Sequence, residues 1–305
     1  MPNWAQVFSE VQQLQARGSQ AFDVIRRNYL KLLHEHLNRN VIAYYSGFLS
    51  KPDISSDIND EDKNGFMMAV HLLDRLKGLD LILHTPGGGI AATQSIIFYI
   101  QKMFNYDIRV FVPQIAMSAG TIMACSAKEI WMSEKHSNLG PIDPHLNGFP
   151  AYGVIQEFKR AVAEVTKDPN SIPVWQSIIG QYPPTYLSQC ENAIKWSNKF
   201  VARQLSDVML KTSTNRIAKA NGIVRHLTDY TGNKTHDRHI DFDECKRMGL
   251  NVKSIESDSK LQDLLLTVHH CYMHSLMNTP SYKIIENHNG VAFVKQQQVM
   301  ALAQR

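Results

Sequence analysis

One stretch of the sequence decides the fold, and it runs from Leu79 to Thr121 as LDLILHTPGGGIAATQSIIFYIQKMFNYDIRVFVPQIAMSAGT. It holds two short apolar segments, Leu79–Leu83 and Ile108–Val112. Each segment leads into a glycine-bearing turn and then into residues with helical spacing. Strand, turn and helix in this repeated order are typical of βαβ connections, whose strands lie parallel in one sheet. The stretch therefore predicts an α/β fold with a wound parallel sheet.

The same rhythm continues on both sides of this stretch. Val41–Tyr45 and Glu129–Met132 read as further strands, and Glu61–Lys77 reads as a helix with one apolar face. Phe242–Met248 reads as a helix that stops at Gly249. From residue 253 onward the pattern predicts a helical tail.

Composition limits the classes of protein that fit. A chain of 305 residues with 44% hydrophobic residues can bury the core of one or two globular domains. The net charge of +4 is not gathered into a basic block, which argues against nucleic acid as a partner. The four cysteines lie far apart without a CxxC pair, which predicts reduced thiols.

The start of the sequence shows no secretory signal pattern. The start, MPNWAQ, lacks the basic and apolar regions of a secretory signal. No apolar run approaches the roughly 20 residues of a membrane helix. We therefore expect a cytoplasmic protein without a membrane span.

The two turns carry the candidate catalytic residues. Ser118 follows the second strand, and Gly87 and Gly88 follow the first, so neighbouring parallel strands could set a hydroxyl opposite bare backbone N–H groups. Acyl transfer by serine needs such a pairing, because the N–H groups stabilise the oxyanion that the nucleophile creates. Taken singly, the glycines also fit a tight turn and Ser118 also fits a helix N-cap.

Three motifs in order resemble a known family. They are Pro86-Gly87-Gly88, Met117-Ser118-Ala119-Gly120 and Gly140-Pro141-Ile142-Asp143-Pro144, and Thr235–Ile240 adds a fourth. Together they resemble the Clp-type serine peptidases, in particular the serine dehydrogenase proteinase group, which is related to the signal peptide peptidases. The resemblance covers roughly residues 41–252.

The resemblance implies a Clp/crotonase-like superhelix of ββα units, usually assembled into a homo-oligomer. It divides the chain into a helical N-terminal extension (1–40), a peptidase domain (41–252) and a helical C-terminal tail (253–305). By motif, Ser118 matches the nucleophile, and the N–H groups of Gly88 and Ala119 match the oxyanion donors. It implies no metal and no cofactor.

The general base is less clear from the sequence. In Clp peptidases a histidine lies in the segment matching Gly140–Pro144, but Ile142 occupies the corresponding position here. Lys159 follows Ser118 by 41 residues, a spacing that resembles the Ser–Lys relatives, and it is our preferred base. Burial could bring such a lysine into its neutral form, although most lysines lie on the surface.

Two histidines are secondary candidates for the site. His145 lies just after the Gly140–Pro144 motif and could replace the missing histidine as the base, and His236 lies in the Thr235–Ile240 motif, with His239 nearby, and could orient a group near the nucleophile. Two histidines and Asp237 could also suggest a metal, but no further ligand follows at a recognisable spacing. We therefore expect no metal site and a structural role for this segment.

The sequence thus predicts a serine-type endopeptidase that cleaves peptides or unfolded protein segments. No GxxxxGK[ST] motif is present, so the activity of this chain should not depend on ATP, and an unfoldase or regulator would be a separate partner. Two alternatives remain open at this point. One is a crotonase-like acyl-CoA enzyme that uses the same oxyanion turns, and the other is a catalytically silent assembly module.

Overall fold

The computed structural model describes residues 4–16, 20–229 and 235–297. The helices in these ranges are α1 (Trp4–Gln15), α2 (Ala21–Leu37), α3 (Asp62–Val70), α4 (Ile90–Met103), α5 (Ala119–Cys125), α6 (Ala151–Lys167), α7 (Ile172–Ile179), α8 (Tyr186–Gln204), α9 (Arg216–Leu227), α10 (Phe242–Met248) and α11 (Ser259–Asn278). The strands are β1 (Asn40–Ser46), β2 (Leu79–His84), β3 (Ile108–Val112), β4 (Ile115–Ala116), β5 (Glu129–Met132), β6 (Asn138–Leu139), β7 (His145–Leu146), β8 (Phe149–Pro150), β9 (Val252–Ser254), β10 (Ser281–Asn287) and β11 (Ala292–Gln296). Of these helices, none is both long enough and apolar enough to traverse a bilayer.

Seven strands form the central sheet, in the order β11-β10-β1-β2-β3-β5-β9. The five strands from β1 to β9 run parallel, whereas β10 pairs antiparallel with β1 and β11 pairs antiparallel with β10. Every residue of β1 and β2 is buried, as expected for parallel strands covered on both faces. The predicted α/β class with a largely parallel sheet is confirmed. The superhelix of ββα units stays a prediction.

Helices cover both faces of the central sheet. On one face α3, α4, α5 and α9 contribute to the largest apolar cluster, which includes Phe66 and Ile97. On the other face α2 and α11 pack through residues such as Leu33 and Leu265. The turns that follow the parallel strands therefore extend from a rigid, two-sided core.

A second set of backbone pairings lies beyond the carboxyl ends of β2 and β3. Thr85, just after β2, pairs with Ala116 in β4, and β4 pairs in parallel with β6. Leu139 at the end of β6 then pairs antiparallel with Ile240. This row of short pairings connects segments that are up to 155 positions apart in the sequence.

The helices α6, α7 and α8 form a cap together with the β7–β8 hairpin. The hairpin turns at Asn147 and Gly148, whose φ angles of 51° and 82° fit the tight turn that joins twisted strands. The hydroxyl of Tyr186 in α8 donates a hydrogen bond to the carbonyl of Leu146. A separate apolar cluster between α6 and α8 anchors the hairpin, so its position is set by the cap.

The predicted helix over Glu61–Lys77 is shorter in the structure. α3 ends at Val70, and the chain turns at Leu72, which has φ 63°. The Asp74 carboxylate accepts a hydrogen bond from the Leu76 N–H at 3.1 Å, which favours a 3₁₀ turn over continued α-helix. Leu76 is consequently 95% exposed, although the apolar pattern predicted burial.

The expectation that residues 253–305 form a helical tail is wrong over residues 281–296. α11 does lie in this region, but β10 and β11 follow it and extend the central sheet. β10 is buried almost throughout, yet its sequence SYKIIEN includes Lys283 and Glu286, so it shows neither an apolar run nor an alternation that would mark a strand. Likewise α2, in the expected N-terminal extension, packs against the sheet. Residues on both sides of the expected boundaries at 40 and 252 thus build the same sheet and its covering helices.

Candidate active site

Ser118 occupies the sharp turn between β4 and α5. Its backbone has φ 51° and ψ −115°, a conformation that residues with a side chain seldom adopt. Hydrogen bonds fix the turn, from the Met117 N–H to the Thr85 carbonyl at 3.0 Å and from the Gly120 N–H to the Met117 carbonyl at 2.7 Å. A strained turn between strand and helix is a geometry that exposes a nucleophilic hydroxyl. Ser118 is accordingly half-buried at the wall of a cavity.

The glycine turn after β2 lies directly against Ser118. Gly87 and Gly88 have φ angles of 105° and 149°. A Cβ on Gly87 would lie 2.6 Å from the Cβ of Ser118, and a Cβ on Gly88 would lie 2.3 Å from the Ile58 nitrogen. Ile58 in turn donates to the Gly87 carbonyl at 2.8 Å and accepts from the Gly89 N–H at 2.9 Å. The close approach of the two turns therefore depends on glycine at position 87, and the close approach of the glycine turn to Ile58 depends on glycine at position 88.

Two backbone donors are available near the hydroxyl. Gly88 and Ser118 line the same cavity, which has a volume of about 620 Å³, and Ala119 directly follows Ser118. Among the residues that the structure describes, neither the Gly88 N–H nor the Ala119 N–H donates a hydrogen bond. Backbone donors without a partner are rare in the protein interior. A ligand carbonyl or oxyanion in the cavity could supply the missing acceptor.

A histidine–carboxylate pair lines the same cavity. The Nδ1 atom of His236 lies 2.7 Å from Oδ1 of Asp143. The Asp143 side chain is 5% exposed and the His236 side chain is 25% exposed. A carboxylate on Nδ1 fixes the orientation and tautomer of an imidazole and leaves Nε2 for proton transfer. The pair therefore has the composition of a base and the group that orients it.

The fold brings the two members of this pair together over 93 positions of sequence. Leu139 and Ile240 exchange two backbone hydrogen bonds of 2.9 Å, which sets the His236 segment beside the Asp143 segment. On either side of Asp143, the Ile142 N–H donates to Leu227 and the Pro144 carbonyl accepts from Ala151. Both flanks of the carboxylate are thus held by the backbone, independently of the imidazole.

His145 is close to the same pair. It begins the β7–β8 hairpin, and its ring centroid lies 4.1 Å from that of His236 at an interplanar angle of 63°. The loss of solvent around the ring, together with the neighbouring His236, lowers the pKa of His145. One ligand atom from each of Asp143, His145 and His236 lies within 4.8 Å of the others.

A family profile matches most of the chain. The profile of the ClpP-like SDH-type serine proteinases covers residues 17–288. The chain belongs to this family. The family expected from the motifs is therefore confirmed, and membership supports a serine peptidase in general. The match also includes α2 and β10, which the motif resemblance had left outside.

Two uncharacterized proteins of Methanocaldococcus jannaschii are similar in sequence to this chain. The first is 31% identical over 195 residues, which is 64% of this chain and 60% of the relative. The second is 30% identical over 207 residues, which is 68% of this chain and 62% of the relative. The chain thus aligns with less than two thirds of the length of either relative.

The site residues predicted from the sequence divide into those at the cavity and those away from it. Ser118, Gly88, His145 and His236 line the cavity, and Ala119 adjoins Ser118. Lys159 instead lies on the exposed side of α6, and no lysine is among the described residues that line the cavity. The assignment of Lys159 as the base stays a prediction.

Sequence reasoning assigned no role to Asp143. The residue was part of the Gly140–Pro144 motif, and its neighbour Ile142, at the position of the Clp histidine, lines the cavity. An acidic residue in a motif that follows the nucleophile could have indicated a group that orients the base, but its partner His236 lies 93 positions away in the sequence. Only the pairing of Leu139 with Ile240 makes the relation visible.

The cap supplies the apolar wall of the cavity. Ala193 and Trp196 of α8 face it together with Leu146 and Gly148 of the hairpin. Trp196 is 43% exposed, which leaves much of its ring open to solvent. The cavity therefore combines apolar residues from the cap and from the sheet-side turns with a few polar groups, as ligand sites commonly do.

Proposed function

We propose that this protein is a serine-type endopeptidase that acts on peptides or unfolded protein segments through an acyl-enzyme at Ser118. The observation that carries the proposal is the convergence of Ser118, Gly88 and the His236–Asp143 pair on one cavity. Membership of the serine proteinase family supports the general reaction class. Nucleophile, base, orienting group and oxyanion donors are the groups that acyl transfer requires.

In the proposed reaction, Oγ of Ser118 attacks the peptide carbonyl while His236 accepts the hydroxyl proton. The N–H groups of Gly88 and Ala119 stabilise the oxyanion. His236 then protonates the leaving amine, and Asp143 stabilises the imidazolium between these steps. Water subsequently attacks the ester through the same base, which restores Ser118 and releases the acid. No cofactor takes part.

His236 is the preferred base on geometric grounds. It lines the cavity with Ser118, and its Nδ1 is held by a buried carboxylate. Lys159 is exposed on α6, where water stabilises its charged form and opposes its action as a base. The Ser–Lys arrangement is thus the second candidate, and His145 is the third because it neighbours His236.

The cavity favours short extended segments as substrates. Its volume of about 620 Å³ falls within the about 300–1,000 Å³ of small-molecule sites and admits only a few side chains. The partly exposed Trp196 offers an apolar contact for one of them. A folded protein could therefore be cleaved only at a mobile end or after unfolding by a separate partner. We also propose a homo-oligomer, as the resemblance implies.

Labelling by a fluorophosphonate, followed by intact-mass measurement, tests the proposal. Wild type should gain one adduct, and Ser118→Ala should gain none. His236→Gln and Asp143→Asn should label at least about 100-fold more slowly, the range attributed to a general base. Lys159→Met should label like wild type, and His239→Gln, an exposed histidine three positions from His236, is the matched control.

Each other result has a defined meaning. Loss of labelling in Lys159→Met, with labelling retained in His236→Gln, would replace the triad by the Ser–Lys arrangement. Absence of labelling in folded wild type would reject the serine nucleophile. Thioester turnover that survives Ser118→Ala would instead favour the acyl-CoA alternative.

A further inference from the structure

Asp143, His145 and His236 form a cluster with the composition of a metal site, called the His–Asp cluster below. One ligand atom from each residue lies within 4.8 Å of the other two. We propose that the His–Asp cluster binds Zn²⁺ and that the bound ion reversibly inhibits the peptidase. The inhibitory part rests on the function proposed above, whereas the binding part rests on the cluster alone.

The ligand set fits zinc better than the hard divalent cations. Two imidazoles and one carboxylate, with a fourth position for water, is a set that zinc uses in open protein sites. Mg²⁺ and Ca²⁺ prefer sites built wholly from oxygen ligands, which this cluster lacks. The cluster should therefore discriminate between Zn²⁺ and these two ions.

The positions of the three residues also allow an ion to enter. Asp143 is buried and fixed by the backbone on both sides, whereas His145 is exposed on the β7–β8 hairpin. All three line the cavity, so an ion can reach the cluster from solvent. A rigid carboxylate with a solvent-facing imidazole provides an anchor and an adaptable second ligand.

Binding requires only a small rearrangement of the pair at its centre. Two ligand atoms of a tetrahedral zinc ion lie about 3.3 Å apart when each bond is about 2.0 Å. The His236 Nδ1 and Asp143 Oδ1 atoms are 2.7 Å apart, and an ionised Asp143 accepts a hydrogen bond from a proton on Nδ1. If both become ligands, zinc must displace this proton and separate the two atoms by roughly half an ångström.

The consequence for the peptidase follows from the same atoms. A zinc ion on Nδ1 of His236 takes the place of the proton there, so the neutral imidazole carries its proton on Nε2, and Asp143 becomes a metal ligand instead of orienting the ring. Because His236 can then no longer accept the proton of Ser118, the acyl-enzyme should not form. A chelator that removes the ion restores the pair, which makes the inhibition reversible.

Titration calorimetry of chelator-stripped protein tests the binding part. ZnCl₂ is titrated into wild type, His145→Gln and the control His239→Gln, with MgCl₂ and CaCl₂ as comparison ions. We expect one zinc site per chain in wild type and in His239→Gln. His145→Gln should bind at least about 10-fold more weakly, because even the loss of an outer-shell partner costs about 10–100-fold. Circular dichroism confirms that each variant is folded.

Equal zinc affinity and stoichiometry in wild type and His145→Gln would overturn the proposal, because the ion would then lie among other histidines. Binding of Mg²⁺ or Ca²⁺ with the affinity of Zn²⁺ would overturn the ligand argument.

Fluorophosphonate labelling with and without zinc tests the inhibitory part. In wild type and His239→Gln, zinc should slow labelling at least about 10-fold, and EDTA should restore the rate. In His145→Gln the ratio of the two rates should approach one. If zinc binds at the His–Asp cluster of wild type but does not slow its labelling, the inhibitory part is refuted. Zinc binding that depends on His145, in a protein that does not label even without metal, would support the site and reject the proposed function.

Discussion

Replacing His84 by leucine should remove a destabilisation of about 2 kcal/mol that the folded protein experiences at pH 5. His84 is the last residue of β2, directly before the turn that holds Gly87 and Gly88. Its side chain is fully buried, and neither ring nitrogen has a hydrogen-bond partner in the part of the chain that the structure describes. The rings around it belong to Tyr45, Phe48 and His269, with centroids 5.0–5.5 Å away.

The magnitude follows from the pKa of this imidazole. Burial lowers the pKa of His84 from 6.5 to about 3, because the apolar surroundings disfavour the charged ring. Above pH 6.5 both folded and unfolded chains hold it neutral, so it adds no pH dependence to the stability. Below pH 6.5 the unfolded chain binds a proton that the folded protein excludes, so the free energy of unfolding falls with pH. At 1.36 kcal/mol per pH unit the loss is about 2 kcal/mol at pH 5 and about 5 kcal/mol near pH 3.

Urea unfolding followed by tryptophan fluorescence at pH 7.5 and pH 5 measures this difference. Between these pH values, His84→Leu should lose about 2 kcal/mol less stability than wild type. The buried His288 stacks on His34, away from the residues around His84, so subtracting the two losses removes its contribution. The remaining difference contains His84 together with its effect on the adjacent His269, whose pKa His84 also lowers. The exposed His71→Gln is the matched control and should behave as wild type. Equal losses in wild type and His84→Leu would refute the reasoning that a buried neutral imidazole causes the acid sensitivity.

Two further predictions concern strain and buried charge. Ser118→Gly should raise the free energy of unfolding by about 1 kcal/mol, because glycine adopts the φ of 51° without strain. The same substitution should abolish fluorophosphonate labelling. A lower free energy of unfolding in urea would contradict the strain argument. Lys283→Met should lower the free energy of unfolding by about 3–5 kcal/mol, because it leaves the buried Asp62 carboxylate without its 2.8 Å cationic partner. Lys295→Met, which removes a pair with a largely exposed glutamate, should change it by less than about 1 kcal/mol, and equal effects of the two substitutions would argue against the buried pair.

The strands and turns of the Leu79–Thr121 stretch could be predicted because their signals are local. β2, β3 and the two turns each depend on apolar runs and glycines within a few positions of one another. The end of α3 was harder to predict, because the apolar pattern continues to Leu76, whereas the backbone turns at Leu72 and the Asp74 side chain caps a 3₁₀ turn after it. Local capping contacts of this kind override periodicity.

The strands β10 and β11 could not be predicted for a different reason. β10 lies beside β1, about 240 positions earlier in the sequence, and β11 pairs with β10. The position of β10 is fixed by contacts that no local pattern contains. The Lys283–Asp62 pair illustrates this, since a lysine in a sequence argues for exposure and here is fully buried. Because Asp62, more than 200 positions away in the sequence, compensates its charge, Lys283 can be buried although lysine as a residue type predicts exposure.

The candidate site shows the same division between local and long-range information. Gly88 and Ser118 each belong to a strand–turn–helix unit, so their place at the ends of neighbouring strands could be predicted from adjacent residues. Asp143 and His236 belong to no such unit, and they meet because a row of backbone pairings links successive segments. Each member of the site lies within four positions of one residue in that row, so the row itself sets their mutual positions. A histidine can reach the site from any segment that joins this row of backbone pairings, whatever its distance along the sequence. Spacing along the sequence therefore could not identify His236 and favoured Lys159 instead.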